Sequence, residues 1–149
     1  MARTVDDRRF WWKLLTGVIV SGLLSRTVAT GSVWIDKYLG DALYAAMVYV
    51  LLRLTGRIDR VAMWSAVVMT AIELFQLTGI PAAMVRSEYL VMRLCGRALG
   101  TQFSAWDLLA YAVGIVCAAA CGRRYRARVR QITLDPRRVR ARQTQFRRW

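Results

Sequence analysis

The sequence predicts an all-α polytopic membrane protein with four transmembrane helices plus one amphipathic interfacial helix. Three observations carry this expectation. Four apolar stretches, residues 11–24, 40–54, 61–80 and 105–121, divide a chain of only 149 residues. The composition is 56% hydrophobic with a mean hydropathy of +0.30, too apolar for a soluble protein whose charge gathers at one end. That charge, a net +14, is carried largely by arginines beyond the last stretch. The organisation that follows is one membrane domain over residues 1–121 and an arginine-rich cytoplasmic tail over 122–149, expected to be disordered.

The first stretch follows Arg3, Arg8 and Arg9, as a secretory signal would. Val28-Ala29-Thr30 lacks the small pair that signal peptidase prefers, so the segment is read as a retained span. Gly17, Ser21 and Ser25 offer it a surface for close helix approach. The second stretch opens at Gly40-Asp41, the third at Val61, and the fourth at Ala105-Trp106-Asp107. Trp11, Trp12 and Trp106 sit at span ends, where aromatic side chains anchor to the membrane interface.

Four spans place both termini and the middle loop on one side. That side holds eighteen of the 23 Lys and Arg residues, eleven of them in the tail. The other side holds Arg26, Lys37, Arg86, Arg93 and Arg97. The positive-inside rule therefore puts the termini in the cytoplasm and the first and third loops outside, giving a multi-pass protein of the inner (plasma) membrane.

This topology brings scattered polar residues to one depth. Asp41 and Asp107 lie near the outer starts of the second and fourth spans. Glu73 is about 18 Å along the third span, which starts inside, and Gln76 is higher still. Arg26 ends the first span at the same level and is the expected counter-charge. At about 100° per residue, Thr70, Glu73 and Gln76 share one stripe, and Asp107, Tyr111, Gly114 and Ala118 share one face. An ionisable group inside a span costs a few kcal/mol or more without a partner or water, which marks these positions as a candidate ligand pocket.

Plainer roles compete with this one. Ser104-Ala105-Trp106-Asp107 has capping-box spacing, so Asp107 can serve the helix terminus, and Asp41 can simply begin a helix. Gln76 can act as interhelical glue. Glu73 has no terminus to cap.

Several chemistries are excluded. The chain has no histidine, which removes imidazole bases, Ser-His-Asp triads and the commonest zinc, haem and copper ligand sets. Cys95, Cys117 and Cys121 form no CxxC pair and read as small packing residues. No cofactor or metal is expected, and no nucleophile is identifiable, so the pattern names a pocket and no reaction.

Between the third and fourth spans, Pro81 suits a helix start, and Arg86, Arg93 and Arg97 fall within about 40° on a helical wheel. An amphipathic helix at the outer interface is expected there, its arginine stripe a candidate anion site. The tail carries one aspartate, Asp135, against its eleven arginines. Each arginine near anionic inner-leaflet lipid contributes about 1 kcal/mol, so surface adhesion is the expected role and nucleic-acid binding is disfavoured.

Gly40-Asp41-Ala42-Leu43-Tyr44, Glu73-Leu74-Phe75-Gln76 and the segment from Phe103 through Trp106-Asp107 and Tyr111 to Gly114 carry a resemblance. Together they resemble the small bacterial membrane family catalogued as Domain of Unknown Function 2809, itself similar to VanZ-like proteins, over about residues 10–121. VanZ-like proteins are associated with teicoplanin resistance, which implies action at the cell envelope. Their last span usually reads D-x-x-x-N-x-x-G, and Tyr111 stands here in place of the asparagine.

The function expected is a bacterial envelope membrane protein whose outward pocket, Asp41, Glu73, Gln76, Asp107 and Tyr111, binds a lipid-linked or glycan-precursor ligand. Arg26, Arg86, Arg93 and Arg97 would hold the anionic part. The competing expectation is a non-enzymatic assembly or adaptor subunit acting through the basic tail.

Overall fold

The computed structural model describes residues 5–27, 33–56, 58–100 and 104–134, without the side chains of residues 5, 6, 26, 33–36, 133 and 134. Six helices account for nearly all of it: α1 (Val5–Thr27), α2 (Val33–Thr55), α3 (Val61–Gln76), α4 (Ile80–Val85), α5 (Leu90–Leu99) and α6 (Ala105–Leu134). Among the described residues there is no strand.

Helix α2 is the centre of the bundle, packing against α6 on one side and α1 on the other, with α3 lying against α2 and α6. The core is the run of small and medium residues Ala45, Ala46, Tyr49 and Val50 on α2 against Tyr111, Ile115, Ala118 and Ala119 on α6. Small side chains let two helix backbones approach, and here they do so at Gly114. A Cβ on Gly114 would overlap the carbonyl oxygen of Ala42.

The first and last helices meet at the end of the bundle that contains the start of α1 and the end of α2. Phe10 stacks on Tyr125 with ring centroids 3.9 Å apart. Beside them Trp11 is buried, with Tyr49 6.2 Å away and the Arg53 guanidinium 5.7 Å from its ring. Gly122 leaves room for the Trp11 indole, which a Cβ there would strike. Trp11 is therefore a core residue and does not join the expected interfacial belt, whereas Trp12 and Trp106 are exposed.

Two helices, Lys37–Thr55 and Ala105–Ile132, are long and apolar enough to cross a membrane, and α3 is an apolar helix of shorter length. These point to a membrane protein. Large apolar side chains cover the outside: Leu23 and Leu24 on α1, Trp64, Val67 and Leu74 on α3, and Leu109, Val113 and Val116 on α6 are all exposed. The interior holds Ser65, Glu73, Gln76 and Asp107. An apolar outer surface around a core that also holds ionisable groups is unlike the surface of a soluble domain.

Several expected details change. Helix α6 continues through Gly122 to Leu134, so residue 121 marks no element boundary, and residues 135–149 of the tail lie outside the described residues. The expected single amphipathic helix is two, because the chain breaks between Arg86, the C-cap of α4, and Tyr89, the N-cap of α5. Arg86 thus leaves the stripe, and only Arg93 and Arg97 remain a helical turn apart. Gly96 is the one buried residue of α5 and lies against Pro81 and Val85 of α4. Cys95, Cys117 and Cys121 are exposed, not packed inside. Nothing approaches Gly17 within 4 Å, so the expected close contact on that face of α1 is not made. Gly17→Ala should accordingly leave the fold intact and stabilise it by about 1 kcal/mol at most, from helix propensity alone, in a thermal melt of the detergent-solubilised protein.

Candidate functional site

The site lies at the end of the bundle opposite the Phe10–Tyr125 stack, where α2 and α6 begin and α3 and α5 end. Helix α2 starts at Val33, so Lys37 is a helical residue one turn before Asp41 and not part of a loop. Asp41 is then in the third turn of α2, too far in to begin the helix. Lys37 and Asp41, four apart, share the face that looks toward α6. Across the interface Lys37 Nζ is 3.1 Å from Asp107 Oδ1, pairing a half-exposed amine with a buried carboxylate.

Asp107 occupies the first turn of α6, where the free backbone N–H groups favour a negative charge. The ion pair adds a second reason for a carboxylate there. Lys37→Gln should cost about 1–3 kcal/mol, more than a surface pair and less than a fully buried one. The check is the unfolding midpoint, and Lys37→Arg should recover most of the loss.

Glu73 is fully buried on α3. The Tyr111 hydroxyl donates to its Oε1 from α6. The Gln76 amide nitrogen donates to the same oxygen at 3.3 Å and to the Leu99 carbonyl at 2.8 Å. This chain of bonds ties α6, α3 and the end of α5 together. Gly100 makes the last link possible: it adopts a left-handed φ of 82°, and a Cβ there would lie 2.8 Å from the Gln76 amide nitrogen. Gly79, φ 71°, makes the turn between α3 and α4 in the same way.

The buried face of α3 is Val61, Ser65, Met69, Glu73 and Gln76. Thr70, expected on the polar stripe, is exposed instead. Ser65 takes its place and satisfies its hydroxyl on the Val61 carbonyl at 2.8 Å. The reason is the phase of the packed face, which follows steps of four residues before a final step of three.

A cavity of about 700 Å³ opens beside this network. Its polar wall is Lys37, Asp41, Gln76, Arg97, Asp107 and Tyr111. Its apolar wall comes from Val18, Ile19 and Leu23 of α1 with Leu43, Met47 and Leu94. Asp41, Gln76, Asp107 and Tyr111 are thus brought together, and Glu73 stands directly behind them through Tyr111 and Gln76. Of the four arginines expected at an anion site, Arg97 lines the cavity, Arg86 and Arg93 are exposed and do not line it, and the Arg26 side chain lies outside the described residues. Lys37 and Tyr44 also line it, and neither is among the residues expected there. The i to i+4 spacing of Lys37 and Asp41 is the signal that points to the lysine. Among the described residues no group of three or more His, Cys, Asp or Glu side chains could hold a metal ion.

A family model described as "Protein of unknown function (DUF2809)" matches residues 30–115, more than half of the chain. The matched segment runs from before Lys37 to just beyond Gly114 and so contains every polar residue of the cavity wall. No curated protein matches the chain, and no solved structure does.

Proposed function

We propose that this chain, which belongs to the DUF2809 family, is a four-span envelope membrane protein that binds the headgroup of a lipid-linked or cell-envelope molecule between α1, α2, α5 and α6. The observation that carries the reading is a cavity with charged and apolar walls in a bundle whose outer surface is itself apolar. An amphiphile needs both walls. Fixed charges inside an apolar shell are costly unless they serve a ligand, a partner or a proton. The GDALY, ELFQ and FSAWDLLAYAVG segments carry the resemblance to the DUF2809 family, and a relation of that family to VanZ-like proteins would favour an envelope ligand.

In this reading α1 and α3 are the spans that complete the pair formed by α2 and α6, and α4 and α5 lie at the outer interface. Exposed Leu90, Val91 and Leu94 on α5 suit such a position. The termini face the cytoplasm, where Arg123, Arg124, Arg126, Arg128 and Arg130 extend α6 toward anionic lipid. A reporter fused after Trp149 should be active only in the cytoplasm, and activity outside would overturn the orientation.

The functional test compares envelope lipids and wall precursors in deletion and wild-type strains, complemented with Glu73→Gln, Asp107→Asn or a truncation after Leu134. Loss of complementation by the two pocket variants at normal membrane levels is expected. Full complementation by both, with failure of the truncation, would transfer the function to the basic tail and an adaptor role. The truncation point respects α6, since Tyr125 stacks on Phe10 and cutting at Gly122 would remove a packing residue.

A further inference from the structure

We infer that the ligand group seated at the floor of the cavity is a primary ammonium, so that the molecule bound is an amphiphile with an aminated headgroup. This rests on the headgroup-binding reading above and names the chemistry of that site. Among the described residues no hydrogen-bond donor meets the buried Gln76 Oε1 of the cavity wall or the buried Glu73 Oε2 behind it. Glu73 is fully buried and Gln76 is 7% exposed, with Gln76 on the cavity wall.

The orientation of the Gln76 amide is determined by its partners. Its nitrogen faces two acceptors, Glu73 Oε1 and the Leu99 carbonyl, and so its oxygen must be the atom left over. Two of the donors on this wall already have acceptors. Tyr111 gives its proton to Glu73, and Lys37 is held by Asp107. Among the described residues what is missing is a donor, and a buried acceptor without one loses a free energy comparable to its desolvation.

An ammonium brings three N–H donors and a positive charge to a wall where Lys37 offsets Asp107 and where Asp41 stands with Glu73 behind it. Tyr44 and Tyr111 also line the cavity, and aromatic rings can attract a cation. A metal ion does not suit the site, because no group of three carboxylate or other strong ligands converges among the described residues. Arg97, exposed at the cavity wall, is a cation available to the phosphate of the same headgroup, and Val18, Ile19 and Leu23 offer the acyl chains an apolar path.

The test uses the full-length protein in nanodiscs containing equal fractions of phosphatidylethanolamine, phosphatidylcholine and phosphatidylglycerol, with retained lipid counted by native mass spectrometry after progressive stripping. Phosphatidylcholine has the same phosphate and charge but no N–H donor. Phosphatidylethanolamine should be retained about tenfold over either competitor, the scale of one charge-assisted hydrogen bond. Glu73→Gln should cut that preference to about twofold. If that variant does not accumulate, the wild-type comparison decides alone. Free phosphoethanolamine that displaces the lipid at millimolar concentration would assign the same site to a soluble amine. Equal retention of all three lipids overturns the ammonium inference and leaves the headgroup reading standing. Loss of every lipid with the bulk overturns both, with water then serving the two oxygens.

Discussion

Gly114→Ala is expected to destabilise the protein by more than about 3 kcal/mol, since of the described glycines it has the shortest Cβ approach. The added Cβ would lie 2.7 Å from the Ala42 carbonyl carbon and 3.0 Å from its Cα, with the carbonyl oxygen closer still. All three are backbone atoms of a helix, so no side chain can rotate out of the way. Relief requires α2 and α6 to separate, and that would open the core at Tyr111, Ala45 and Ala46 along the whole contact. Thermal unfolding and size-exclusion behaviour in detergent are the measurements. Gly17→Ala is the control, since it adds the same methyl group where nothing lies within 4 Å. If the two variants melt together, the close approach of α2 and α6 at Gly114 is wrong.

The second large effect is expected at Glu73. Glu73→Leu leaves the Tyr111 hydroxyl without its acceptor and removes one of the two acceptors of the Gln76 amide, a loss of about 1–2 kcal/mol for each bond. Glu73→Gln retains an acceptor and should cost about half as much. Tyr111→Phe removes one donor and should cost about 1–2 kcal/mol. The decisive observation is the coupling. In the double variant Glu73→Leu with Tyr111→Phe, the loss should fall short of the sum by about 1 kcal/mol, because the bond between them can be lost only once. Strict additivity would mean that the two side chains do not interact.

Much of the site is legible in the amino-acid sequence, for a local reason. Asp107, Tyr111 and Gly114 lie at offsets of four and three, and such offsets share a helix face whatever the neighbours are. Glu73 and Gln76 are three apart and are buried together for the same reason. Where sequence and structure part, the cause is local too. Thr70 is polar and three residues before Glu73, yet the packed face passes through Met69, because four-residue steps keep closer to the 3.6-residue period over that part of α3. Lys37 reads as a loop residue because hydropathy marks where a helix turns apolar and not where it begins, and α2 begins at Val33. The break between α4 and α5 lies at Ser87-Glu88, a pair with no proline or glycine to announce it.

The helical class, the four apolar stretches, the concentration of arginine beyond the last of them and the grouping of polar residues on single helix faces all belong to the sequence. Each depends on composition or on spacing within one helix, and helix geometry is a property of the chain alone. Which polar residues meet is a matter of packing. Tyr111 reaches Glu73 across 38 positions, Gln76 reaches the Leu99 carbonyl across 23, and Lys37 pairs with Asp107. These pairings depend on how far each helix is rotated about its own axis and shifted along its neighbour. Contacts such as Gly114 on Ala42 and Trp11 on Gly122 set those two quantities, and no periodicity within a single helix contains them.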